Sequence, residues 1–107
     1  MRRTAASLLA SAVLLVPGTA QAVPTPEQAV QAVADSAAET YRQTRDRILH
    51  DYHARTTAAQ NALEQASDRD VAWREYKRVT ADARADADAA LKRARAEFRR
   101  TVALARS

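Results

Sequence analysis

The sequence predicts an all-α protein, a secretory signal peptide followed by two long amphipathic helices that fold back as an antiparallel hairpin. Three observations carry that fold class. The chain has a single glycine, Gly18, and of its three prolines only Pro24 and Pro26 lie beyond it. A β-rich fold or a loop-rich enzyme needs residues that accept positive φ at its turns, and beyond Gly18 the chain lacks the one that does so freely. A chain rich in Ala, Arg, Glu and Gln with no internal breaker favours helix. Lastly, the apolar residues recur at helical spacing in two stripes on either side of one short polar interruption.

Residues 1–22 have the layout of a signal peptide. Arg2 and Arg3 form a positive start, "AASLLASAVLLV" (5–16) is an apolar run, and Pro17 and Gly18 end it before the small residues of "AQA" (20–22). This is the pattern of a cleaved export signal, with cleavage expected after Ala22. A membrane span needs about 20 apolar residues, and this run is shorter. The expected destination is secreted or extracytoplasmic. The preference for Arg over Lys suits a bacterial genome rich in G and C.

The exported chain would then be residues 23–107. It keeps 15 of the 17 Lys and Arg, once Arg2 and Arg3 are gone, and all 13 Asp and Glu. The strongly basic pI of the whole chain therefore overstates its charge. There is no cysteine, so packing alone must stabilise it, and its apolar side chains larger than alanine are few. So small a domain buries a modest share of its surface, which favours self-association or a partner.

The first helix has a defined start. Thr25 suits the N-cap, Pro26 the first helical position, and Gln28 completes a capping box. Val30, Ala34, Ala37, Tyr41, Ile48, Tyr52, Ala59, Leu63 and Ala66 then fall on one stripe over about 26–66. Val30, Tyr41, Tyr52 and Leu63 step by 11 residues, the repeat of a nearly straight helix. "SDRD" (67–70) interrupts the pattern, with Ser67 or Asp68 as the next N-cap. Over about 69–105 a second stripe holds Trp73, Tyr76, Thr80, Ala83, Ala87, Leu91, Ala94, Phe98, Val102 and Ala105. A continuous helix through 67–70, or a third helix begun by a capping box at Thr57 and Gln60, are the alternative architectures.

Charge and size favour the hairpin. Residues 23–41 carry Glu27, Asp35 and Glu39 and no base, whereas 91–107 carry six bases against Glu97. Folding back sets these ends side by side, where opposite charge selects the antiparallel pairing. A register in which paired numbers sum to about 135 sets Leu63 against Trp73, Ala59 against Tyr76, Tyr52 against Ala83 and Ile48 against Ala87. It also sets Tyr41 against Ala94 and Ala37 against Phe98, so that large mostly faces small.

Chemistry-bearing constellations are scarce. His50 and His53, three residues apart, are the candidate metal ligands, but the zinc and di-iron helix patterns are missing. The same register would place His53 beside Asp82. Asp82, Asp86 and Asp88 in "ADARADADAA" (81–90) are spread over different sides of a helix without a turn to converge on, unlike a calcium loop. They read as a solvated side with the pairs Arg78–Asp82, Arg84–Asp88 and Asp88–Lys92. No cysteine, nucleophile elbow or glycine-rich phosphate loop is present. The sequence thus predicts a non-enzymatic protein without cofactors, acting through protein–protein contacts with itself or another envelope or secreted protein. Tyr41, Ile48, Tyr52, Leu63, Trp73, Tyr76, Leu91 and Phe98 are the expected helix-seam residues. Lys92, Arg93, Arg95, Arg99, Arg100 and Arg106 are candidates for contact with an anionic membrane or wall polymer through segment 92–106. Export makes nucleic acid an unexpected partner, although arginine binds phosphate readily.

Overall fold

The computed structural model describes residues 23–107, so the expected signal peptide lies outside the described residues. Two helices account for nearly all of them: α1, Pro26–Gln65, and α2, Arg69–Arg106. Among the described residues there is no strand, and no helix is long and apolar enough to cross a membrane.

The helix starts follow from their caps. Thr25 is extended and accepts a hydrogen bond from the Gln28 N–H at 3.1 Å, and the Gln28 side chain accepts one from the Thr25 N–H at 2.9 Å. Two of the donors that a helix N-terminus leaves without partners are thereby satisfied. Asp68 does the same for α2, accepting from the Val71 N–H at 3.2 Å. Of the two residues that suit this cap, the aspartate takes it.

The chain changes direction in the three residues between the helices. Ala66 (φ −76°, ψ 142°) and Asp68 (φ −98°, ψ 101°) are both extended. Neither position needs glycine, because the chain leaves α1 directly into extended backbone rather than through the left-handed region. An N-cap residue favours extended backbone in any case.

Contacts across the pair run in opposite chain directions. The Arg55 guanidinium reaches Asp86 at 2.8 Å, and farther from the turn the Tyr41 ring lies 6.2 Å from Phe98, tilted by 54°. All nine residues of the α1 stripe are half-buried. On α2 the stripe from Tyr76 to Ala105 is half-buried or better, and Ala83 is the one fully buried residue among those described, at 1% exposed.

Two details differ from the sequence expectation. Tyr41 and Phe98 meet each other, large against large, where each was expected to face an alanine. Helical side chains lean toward their own N-terminus. In an antiparallel pair the two sets lean in opposite senses, so side chains meet partners later in sequence than the backbone register suggests. Trp73 also leaves the seam. It is 48% exposed, stacks on Tyr76 with ring centroids 5.5 Å apart, and has the Lys77 ammonium 5.7 Å over its ring.

Candidate interaction surface

The helix pair leaves a groove along one face. Toward the open end, a cleft of about 730 Å³ lies between Val33, Tyr41 and Ile48 of α1 and Ala90, Ala94 and Phe98 of α2. A cleft of about 710 Å³ near the turn is lined by Ala58, Ala62 and Leu63 and by Val71, Tyr76 and Val79. A smaller one of about 150 Å³ sits between them, where Ile48 and Tyr52 close over Ala83 and the Arg55–Asp86 pair bridges the helices. At 3.6 residues per turn, Val33, Thr44 and Ala62 project to one side of the α1 stripe. Val71, Glu75 and Arg93 project to the matching side of α2. The three clefts therefore open on the same face.

The two large clefts differ in charge. The open-end cleft is lined by Arg47, Arg93 and Glu97, and Glu97 is already engaged by Arg100. The turn-end cleft is lined by Asp68, Glu75 and Arg55; Asp86 engages Arg55, and Arg78 engages both Glu75 and Asp82, so acids outnumber bases there. One end of the groove is thus basic and the other acidic. Around it, apolar side chains stay in water. Val33 is 37%, Val71 53% and Leu104 68% exposed. The opposite face has Leu49 and Trp73 exposed beside half-buried Leu91 and Val102.

Most ion pairs lie within single helices. Arg42 donates to Glu39 at 2.6 Å and Gln43 adds a second hydrogen bond, and Glu75 is gripped by Arg78. The hydrogen bond from Arg42, its charge and the Gln43 amide hold the Glu39 carboxyl below its usual range. The Arg78 hydrogen bond lowers Glu75 likewise, and Glu75 in turn raises Arg78. Asp35 accepts from Gln31. Asp35 and Glu39 are therefore satisfied locally, not by the bases of α2. Among the described residues, Arg55–Asp86 is the one ion pair that joins the helices. Asp86 thus joins the helices where its position in the sequence predicts a solvated side chain, and its partner Arg55 lies outside the expected site residues.

The other candidates fall as follows. Tyr41, Ile48, Tyr52, Leu63, Tyr76, Leu91 and Phe98 are half-buried along the pair. Lys92, Arg93, Arg95, Arg99, Arg100 and Arg106 are all exposed. By helical position Arg93 and Arg100 lie on the groove side of α2, and the other four fan over its outer and opposite sides. His50 and His53 are exposed, and the His53 ring stands edge-on to Tyr52 at 5.7 Å. Asp82 accepts from Arg78 at 3.1 Å, so its partner is on its own helix and not His53. Among the described residues no three His, Cys, Asp or Glu gather as a metal site would require. No family, curated protein or solved structure matches the chain.

Proposed function

We propose that this is an exported, non-enzymatic helical protein that acts through protein–protein contacts and self-associates, with the antiparallel hairpin as its working form. One observation carries the reading: of all the described residues only Ala83 is fully withdrawn from water. An amphipathic helix has an apolar stripe at least about 100° wide, and one neighbouring helix covers only part of it. The half-buried aromatics and the open groove are what a further helical surface would complete. A pair of helices also lacks the enclosed, water-excluding pocket in which enzymes shift the acidity of catalytic groups.

Sedimentation of the purified protein across a wide concentration range tests the self-association, and a monomer throughout would overturn it. Small-angle scattering tests the hairpin, since a straightened chain is about twice as long at 1.5 Å per residue. Recovery of the protein outside the cytoplasm with Val23 as its first residue is the expected sign of export.

A second reading, binding to an anionic membrane or wall polymer, rests on Lys92, Arg95, Arg99 and Arg106. They lie beside the Leu91 and Val102 edge of α2, an arrangement that suits an interfacial helix. Those two side chains are half-buried, however, and offer little apolar area for insertion. Cosedimentation with anionic vesicles at moderate salt separates the readings. The protein-contact reading expects the chain to stay in the supernatant.

A further inference from the structure

The groove is complementary to itself. Its two large clefts have nearly equal volumes, about 730 and 710 Å³, and flank the middle cleft on one face. The basic end carries Arg47 and Arg93, and the acidic end Asp68 and Glu75. Val71 and Leu104, both exposed, lie roughly 25 Å to either side of the middle cleft along α2 at 1.5 Å per residue. A second hairpin laid over this face and turned end for end would bring the basic end of each copy onto the acidic end of the other.

The geometry points to a second copy of this chain as the occupant of the groove, related by a two-fold axis near the Arg55–Asp86 bridge. This rests on the self-association proposed above and adds the face, the direction and the contacts. In that arrangement each helix of one copy lies over the same helix of the other, so Val71 of one copy falls near Leu104 of the other and Glu75 falls between Arg93 and Arg100. The same contacts recur at the other end, as two-fold symmetry requires. The alternative stacking, in which both copies point the same way, sets base on base and acid on acid and is opposed by charge.

The face is large enough. From Val33 to Ala66 it runs about 50 Å, and two helices at ordinary spacing are about 18 Å wide, giving about 900 Å² per copy. Stable interfaces bury about 800 Å² per partner. Alanines at 37, 58, 62, 72, 90 and 94 keep the floor of the groove low, so helices of the second copy can approach closely.

The absence of cysteine from the chain makes the test clean. Val71→Cys and Leu104→Cys are made as separate proteins, and circular dichroism verifies that each is helical. Mixed and oxidised, they are expected to give a covalent dimer joining one of each, in preference to pairs of the same variant. In sedimentation, Arg93→Glu and Glu75→Arg are each expected to weaken the dimer about tenfold, and the double variant to restore it, because reversing both signs restores opposite charge. If the unmodified protein is a dimer but the mixed cross-link does not form and the double variant stays weak, this arrangement is overturned while self-association stands. A protein that remains a monomer overturns both.

Discussion

Ala83 is a small residue at the most deeply placed position of those described. Ile48 and Tyr52 lie against it in the same small cleft, so a larger side chain must displace those two before it reaches the open part of the cleft. Ala83→Leu is expected to lower stability by about 1–3 kcal/mol in urea denaturation. Ala85→Leu, two positions along on the exposed side, should leave it nearly unchanged. The identity of this alanine as a seam residue was legible because stripe spacing depends only on helical periodicity. The place of Trp73 was not. It falls on the same stripe by counting, yet near a helix start it can lean outward onto Tyr76 and Lys77, and counting carries no information about that choice. Asp86 was hidden for a related reason. Its partner Arg55 lies 31 positions away in sequence, and an i,i+4 rule looks only along one helix.

At the scale of the helix, ends and charges matter most. Asp68 holds the first turn of α2, and Asp68→Ala should cost about 1 kcal/mol, measurable by thermal unfolding. Asp68→Asn should cost much less, since its amide oxygen accepts the same hydrogen bond. Protonation removes a second kind of support. The Glu39 and Glu75 carboxyls have their pKa held below the ordinary value of 4.5 by their arginine partners. A carboxyl with a depressed folded-state pKa stabilises the fold above its unfolded value, and loses that contribution as pH falls through the folded value. Helicity should therefore hold from neutral pH down to about 5 and decline only in stronger acid, by a small amount because both pairs are exposed. Glu39→Gln together with Glu75→Gln should flatten that acid limb. Of these elements the start of α1 was plain in "TPEQ", where proline, threonine and glutamine occupy their expected positions. The bend was less plain, because a reversal through extended residues leaves no glycine to mark it.

For the molecule as a whole, the balance between covered and open surface sets behaviour. A domain whose interior is one alanine draws its stability from half-covered contacts, and further coverage by a like chain adds to it. The melting temperature should therefore rise with protein concentration, as mass action requires when the folded form alone associates. A melting temperature independent of concentration would count against the proposed assembly. The all-helical class and its division into two helices were legible from glycine scarcity and the two stripes. The meeting of Tyr41 with Phe98 was not, because it depends on how far opposed side chains lean and reach. Nor was the groove: its polarity emerges from Arg47 and Arg93 on one side and Asp68 and Glu75 on the other, residues on two helices that only the packed pair assembles.

The three-residue bend also orders events in time. Contacts beside it, along the turn-end cleft, close a short stretch of chain, and each later contact closes a slightly longer one. The entropic cost grows slowly at every step when the preceding contact is in place, but is large for a contact made first at the open end. Folding should proceed like a zipper from Asp68 toward Pro26 and Arg106. Asp68→Ala is then expected to slow refolding, and Phe98→Ala chiefly to hasten unfolding, a division that stopped-flow rates in denaturant would reveal directly.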